Sequence, residues 1–234
     1  MLYYCCIITY AMCDDYVELA PGQVDCAYDD WGRGLAGANE GGDAVAVDPL
    51  PLETPSLRIR HFVPQDAQAM LALSNEEASR TWLPSQVYRD QAHAVAVLES
   101  LIRPYASPAN PTLGPYVLAI EHRVDGTLLG HVGFSPLDDE VEIGFSIAQG
   151  HQGQGLATEA VIAATRWAFD SFGLERILGI TSAANVASSR VLVRAGFVHE
   201  EDRVMNFQGT GQDVRVYVLT RSASQPSGAA ARIR

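Results

Sequence analysis

Val141-Glu142-Ile143-Gly144-Phe145-Ser146-Ile147 runs through Ala148-Gln149-Gly150-His151 into Gln152-Gly153-Gln154-Gly155-Leu156-Ala157-Thr158-Glu159-Ala160. The first segment alternates as a strand, read over Glu140 to Ile147. The last opens a helix read from Leu156 to Phe172, in which Leu156, Ala160, Ala163, Ala164 and Trp167 recur on one face and Gly173 supplies the stop. Between them, glycines let the backbone turn tightly. A helix start exposes unpaired N–H groups and carries partial positive charge, so this turn is suited to a diphosphate without any lysine. Thr158 can add a hydroxyl. The dinucleotide fingerprint fails, because Thr158 stands where its third small residue belongs, and no Gly-Lys-Ser/Thr phosphate loop is present.

Outward from this junction the pattern alternates between the two periods. Leu57 to Phe62 reads as a strand, Pro64 opens a helix to about Asn75, and a second helix runs from about Arg89 to Arg103 after a loop containing Trp82 and Pro84. Strands follow at Tyr116–His122 and Leu128–Phe134, joined through Asp125-Gly126, and Asp138-Asp139 turns the chain into Glu140. After the central helix come a strand at Arg176–Thr181, a helix from Asn185 to Gly196, and strands near Val198–Phe207 and Asp213–Leu219 joined by a Gly-containing loop. Helices set into a mostly antiparallel sheet define an α/β (α+β) three-layer domain. We expect it over 57–221, preceded by an acidic, loosely ordered arm at 1–55 and followed by a flexible tail at 222–234.

Charge and cysteine usage exclude several functions. The net charge of −12 is concentrated in residues 1–50, which hold nine acids and one base, Arg33. With no lysine and no basic cluster the chain is a poor partner for nucleic acid. No apolar run is long enough to span a membrane, and Met1 to Met12 lacks the basic start of an export signal, so we expect a cytoplasmic protein. Cys5, Cys6, Cys13 and Cys26 fit no zinc spacing and read as free thiols; no metal is expected. The absence of cysteine after Cys26 removes a cysteine nucleophile from the domain.

Gln152-x-x-Gly155-x-Ala157, following its strand, resembles the acetyl-CoA motif of the GNAT superfamily of N-acetyltransferases. Leu156-Ala157-Thr158-Glu159-Ala160 is similar to the RimJ/RimL branch, as are Asn185-Val186-Ala187-Ser188-Ser189-Arg190-Val191-Leu192 closing in Ala195-Gly196-Phe197, and the final strand Asp213 to Leu219. The resemblance covers about 57–221. It implies a GNAT-type acyl-CoA N-acyltransferase fold, a mixed, mostly antiparallel sheet of about six to seven strands with helices on both faces. It further implies that the strands Glu140–Ile147 and Arg176–Thr181 splay apart. The pantetheine arm of acetyl-CoA then bonds to backbone near Phe145 and Ile147, much as a peptide adds to a sheet edge. The pyrophosphate rests on the amides of Gly153, Gln154, Gly155, Leu156, Ala157 and Thr158, Gln152 holds the loop, and Asn185 caps its helix and reaches the pantetheine amide.

The implied reaction is direct attack of a primary amine, on a small molecule or a protein N-terminus, in a ternary complex. Glu142 is favoured as general base, with Glu140 on the same face and His131 one strand away as rivals. A backbone N–H near Ile147 would stabilise the oxyanion. Leu192 stands where many family members have the tyrosine that protonates the thiolate; the resemblance to the RimL-like branch implies Ser188 instead, as thiol contact or general acid. Trp82, Phe134, Phe145 and Tyr217 are candidates to shape the acceptor pocket. A non-catalytic acyl-CoA-binding sensor is the alternative, and the enzyme is expected as a monomer or homodimer.

Overall fold

A computed structural model describes residues 50–106, 110–207 and 210–221. The expected acidic arm up to residue 49, the four cysteines, the tail and Gly209 lie outside the described residues.

Among the described residues the sheet has eight strands in the order β1-β2-β3-β4-β5-β6-β8-β7. They are β1 Leu52–Glu53, β2 Leu57–Arg60, β3 Tyr116–His122, β4 Leu128–Leu137, β5 Glu140–Ile147, β6 Arg176–Ser182, β7 Val198–Phe207 and β8 Thr210–Thr220. The strand beyond the expected count is β1, which pairs Leu52 with Ile59 and so begins the sheet before residue 57. All neighbours are antiparallel except β5 and β6. Those two are joined by a helical crossover, which a parallel pair requires.

The helices are α1 Ala67–Ser74, α2 Glu77–Trp82, α3 Gln91–Ile102, α4 Leu156–Phe172 and α5 Val186–Arg194. Pro64 opens a single 3-10 turn ahead of α1 rather than the α-helix itself. The short helix α2 falls inside the segment read as a loop. Its start carries no side-chain cap, so nothing local announces it. Contacts from outside hold it: Ser79 Oγ donates to the Leu73 carbonyl (2.8 Å), and the Gln149 amide donates to Glu76 Oε2 (2.7 Å).

Two apolar cores lie on opposite faces of the sheet. Leu156, Ala160, Ala164, Trp167 and Ala168 of α4 pack on Leu118, Ile120, Val132, Phe134, Val141, Ile143 and Ile147. On the other face, Met70, Ala94, Val97, Leu98 and Leu101 of α1 and α3 cover Val117 and Ala119. Past β6 that second face is apolar but belongs to the sheet alone, formed by Leu178, Ile180, Phe207, Val214 and Val216. The faces are not interchangeable, because a one-residue slip would exchange them.

The N-terminal hairpin is tied to α4 through Glu159, whose Oε1 accepts the Ser56 amide at 2.8 Å.

Candidate active site

The parallel pairing of β5 with β6 covers only Glu142 with Leu178 and Ile143 with Gly179, after which the strands separate. Ala148 donates its N–H to Leu129 at 2.7 Å, which fixes the phase of the β4–β5 ladder. Hydrogen-bonded pairs alternate along an antiparallel ladder. The peptide groups of Phe145 and Ile147 therefore turn away from β4 and toward β6, where the ladder has ended. Gln152 Nε2 donates to the Ile147 carbonyl at 2.9 Å, bracing the turn that follows.

The separation opens a cleft of about 360 Å³. One wall carries Phe145, Ile147 and the glycine turn; the opposite wall carries Ile180, Thr181, Ser182 and the start of α5. Gly153 and Gly155 both lie at positive φ, +75° and +86°, with nothing within 4 Å of where a Cβ would be. The N–H groups of residues 153–158 donate to no other group among the described residues. Residues 152–155 are exposed, while Leu156 is buried as the anchor of α4. Gly153, Gly155, Leu156, Ala157 and Thr158 border the cleft, whereas Gln154 is exposed and does not.

Across the cleft, Asn185 Oδ1 accepts the Ser188 amide at 3.0 Å, the expected cap of α5. Asn185 and Ser188 both line the cleft, as do Arg190 and Arg194, one helical turn apart. Sequence reading passed over these two arginines. Their spacing from Asn185, on the cleft side of an amphipathic helix, was the available signal.

The register of β4 with β5 sets His131 opposite Ser146, Gly133 opposite Gly144 and Ser135 opposite Glu142. Opposed residues share a face, and this is the face away from α4. Glu142 is buried at 4% exposure and accepts from Ser135 Oγ at 3.2 Å. Glu140 lies outside the cleft, 3.0 Å from Arg176. His131 lines the cleft, and burial lowers its pKa to about 4, so it is neutral at pH 7.

Of the four candidate pocket aromatics, Trp82 and Phe145 reach the cleft. Phe134 and Tyr217 do not: both point into the core on the α4 side, Phe134 beside Trp167 and Tyr217 beside His199. Phe145 shares the face of Phe134 and packs against the same core, but it reaches the cleft because it borders the gap beyond the last β5–β6 pair. Ser79, Gln86, Ile180 and Phe207 line the cleft unannounced by any motif.

A splayed parallel pair beside an exposed helix-start turn defines an acyl-CoA-dependent transferase of mixed-sheet architecture. The chain belongs to the acetyltransferase (GNAT) domain family, whose description matches residues 56–198, and is an acetyl-CoA-dependent N-acetyltransferase. It is 30% identical over 177 residues to the N-acetyltransferase YoaA of Bacillus subtilis, an alignment covering 73% of this chain and 96% of YoaA. Among solved structures it resembles the ribosomal-protein-S5-alanine acetyltransferase of Vibrio fischeri (TM-score 0.63, 18% identity, 76% of this chain and 100% of that one). It also resembles the microcin C7 self-immunity acetyltransferase MccE solved with acetyl-CoA and AMP (TM-score 0.60, 19% identity, 72% of this chain and 94% of that one). The RimJ/RimL-like reading of the sequence is consistent with this company. At such identities the solved structures establish the fold.

Proposed function

We propose that the enzyme moves the acetyl group of acetyl-CoA to a primary amine by direct attack, with Glu142 as the general base. The observation that carries this reading is the early end of the β5–β6 ladder beside a turn whose amides at 153–158 have no partner among the described residues. The outward peptide groups of Phe145 and Ile147 would bind the pantetheine arm. The amides of 153–158 would receive the diphosphate, with Arg190 and Arg194 supplying neutralising charge. Acetyl-CoA is the acyl-donor substrate, and the residues present fit it on both counts.

On the other face the buried carboxylate of Glu142 would accept the amine proton, directly or through water. His131, neutral at pH 7, is the second acceptor within the same strip. The outward N–H of Ile147 would stabilise the developing oxyanion. Ser188, at the first turn of α5 across the cleft, would return a proton to the departing thiolate.

Calorimetric titration of acetyl-CoA into wild type and Gly155→Glu tests the site. The variant places a carboxylate beside the diphosphate and a side chain at φ +86°. We expect its affinity to fall at least a hundredfold while the fold, followed by circular dichroism, persists. Equal affinity in a folded variant would displace the diphosphate from this turn. Thiol release across an amine panel separates the enzyme from a binding-only sensor, which would hold acetyl-CoA and release nothing.

A further inference from the structure

The cleft has two sides of different chemistry. Its cations among the described residues, Arg190 and Arg194, stand on α5. Among the described residues, the side bounded by α2 and the sheet face opposite α4 is lined by none. There the cleft is walled by Trp82 and Leu83 at one edge and by Ile180 and Phe207 at the other, with His131, Ser146 and Glu142 between them. Ile180 and Phe207 continue into the apolar face that Leu178, Val214 and Val216 complete. Arg203, on the same face of β7, does not line the cleft and lies 3.6 Å from Glu201.

Resting on the proposed reaction, we infer that the acceptor is a primary amine whose own carbon bears an apolar or aromatic group and no carboxylate. The amine nitrogen must approach Glu142, so an acid group on the adjacent carbon would enter the same short stretch. It would be taken from water with no cation among the described lining residues of that stretch to meet it and with a carboxylate beside it. An apolar substituent would instead lie between Trp82, Leu83, Ile180 and Phe207, which bury without cost in hydrogen bonds. Burial keeps His131 from supplying a positive charge near neutral pH. Two sources provide this chemistry: a small arylalkyl or alkyl amine, and the N-terminal residue of a peptide, whose carboxyl is tied up in an amide.

The test measures thiol release with saturating acetyl-CoA and four acceptors sharing one side group: phenylalanine, phenylalanine amide, phenethylamine and a tetrapeptide with N-terminal phenylalanine. We expect kcat/KM for the amide and phenethylamine to exceed that for phenylalanine at least tenfold. Activity on the tetrapeptide equal to that on the amide would identify peptide N-termini as the source; its absence would identify small amines. In Trp82→Arg, which adds a cation to the wall, the preference for amide over acid should narrow at least fivefold. Equal use of acid and amide overturns the inference, as does an unchanged preference in a folded Trp82→Arg protein. Acetyl-CoA binding with no turnover of any of the four also overturns it, leaving the donor site intact. Failure of acetyl-CoA to bind at all would instead remove the donor site and this inference with it.

Discussion

At the scale of the single residue, the sheet distinguishes two carboxylates that strand alternation leaves equivalent. Glu140 is engaged by Arg176 at a partly exposed edge, while Glu142 is buried on the cleft floor beside Ser135. Glu142→Gln keeps the shape and removes the proton acceptor. We expect kcat to fall about 10²–10⁴-fold, with acetyl-CoA affinity within twofold of wild type by calorimetry. A pH–rate profile identical to wild type would pass the role to His131. His131 makes a separate prediction about stability. Its pKa is depressed from 6.5 to about 4 by burial, so between those values the unfolded chain binds the proton that the folded chain refuses. Stability from this site is complete above pH 6.5 and is lost as pH falls toward 4. The full loss is about 3 kcal/mol at 1.36 kcal/mol per pKa unit. Chemical denaturation across that range should show His131→Asn with a shallower pH dependence than wild type.

At the scale of the element, α5 is held at its distance by a missing side chain. A Cβ on Gly179 of β6 would meet Leu192 Cδ2 at 2.7 Å and Cδ1 at 2.8 Å, and Leu192 is fully buried. Gly179→Ala therefore forces the Leu192 side chain, or α5 with it, to shift. Overpacking of this kind costs about 1–3 kcal/mol, or roughly 2–12 °C in Tm for a chain of this size. Because Asn185 and Ser188 ride on α5, acetyl-CoA affinity should weaken along with Tm. A Tm loss with unchanged affinity would show that the α5 residues do not touch the donor. The turn ahead of α4 is legible for a different reason. Positive φ at Gly153 and Gly155 is a local demand that glycine meets, and Gly173 closes the same helix at φ +64°.

At the scale of the whole molecule, the two apolar cores grip the sheet from both faces, and the cleft lies where the sheet is weakest, at its one parallel junction. A ligand entering there would replace lost ladder contacts between the two halves. Acetyl-CoA at a hundred times its Kd should stabilise the fold by about 2.7 kcal/mol, raising Tm by roughly 5–11 °C. ATP and NAD at the same concentration should leave Tm within about 2 °C, a contrast thermal-shift measurement resolves. Stabilisation by NAD or ATP alone would reassign the cleft to nucleotides. No helix among the described residues is long and apolar enough to cross a membrane.

The order of strands and helices, the turn at 152–158 and the cap at Asn185 could be read directly from the sequence. Each depends on periodicity or backbone preference within a few residues. Other features were settled only by packing. Helix α2 exists through bonds from Ser79 to Leu73 and from Gln149 to Glu76, the latter spanning distant parts of the chain. The different settings of Glu140 and Glu142 come from Arg176 and Ser135. The cleft draws Trp82, Ile180 and Phe207 together from positions as far apart as 82 and 207. No local pattern marks such residues, because what makes them neighbours is the free energy of closing two cores over one sheet.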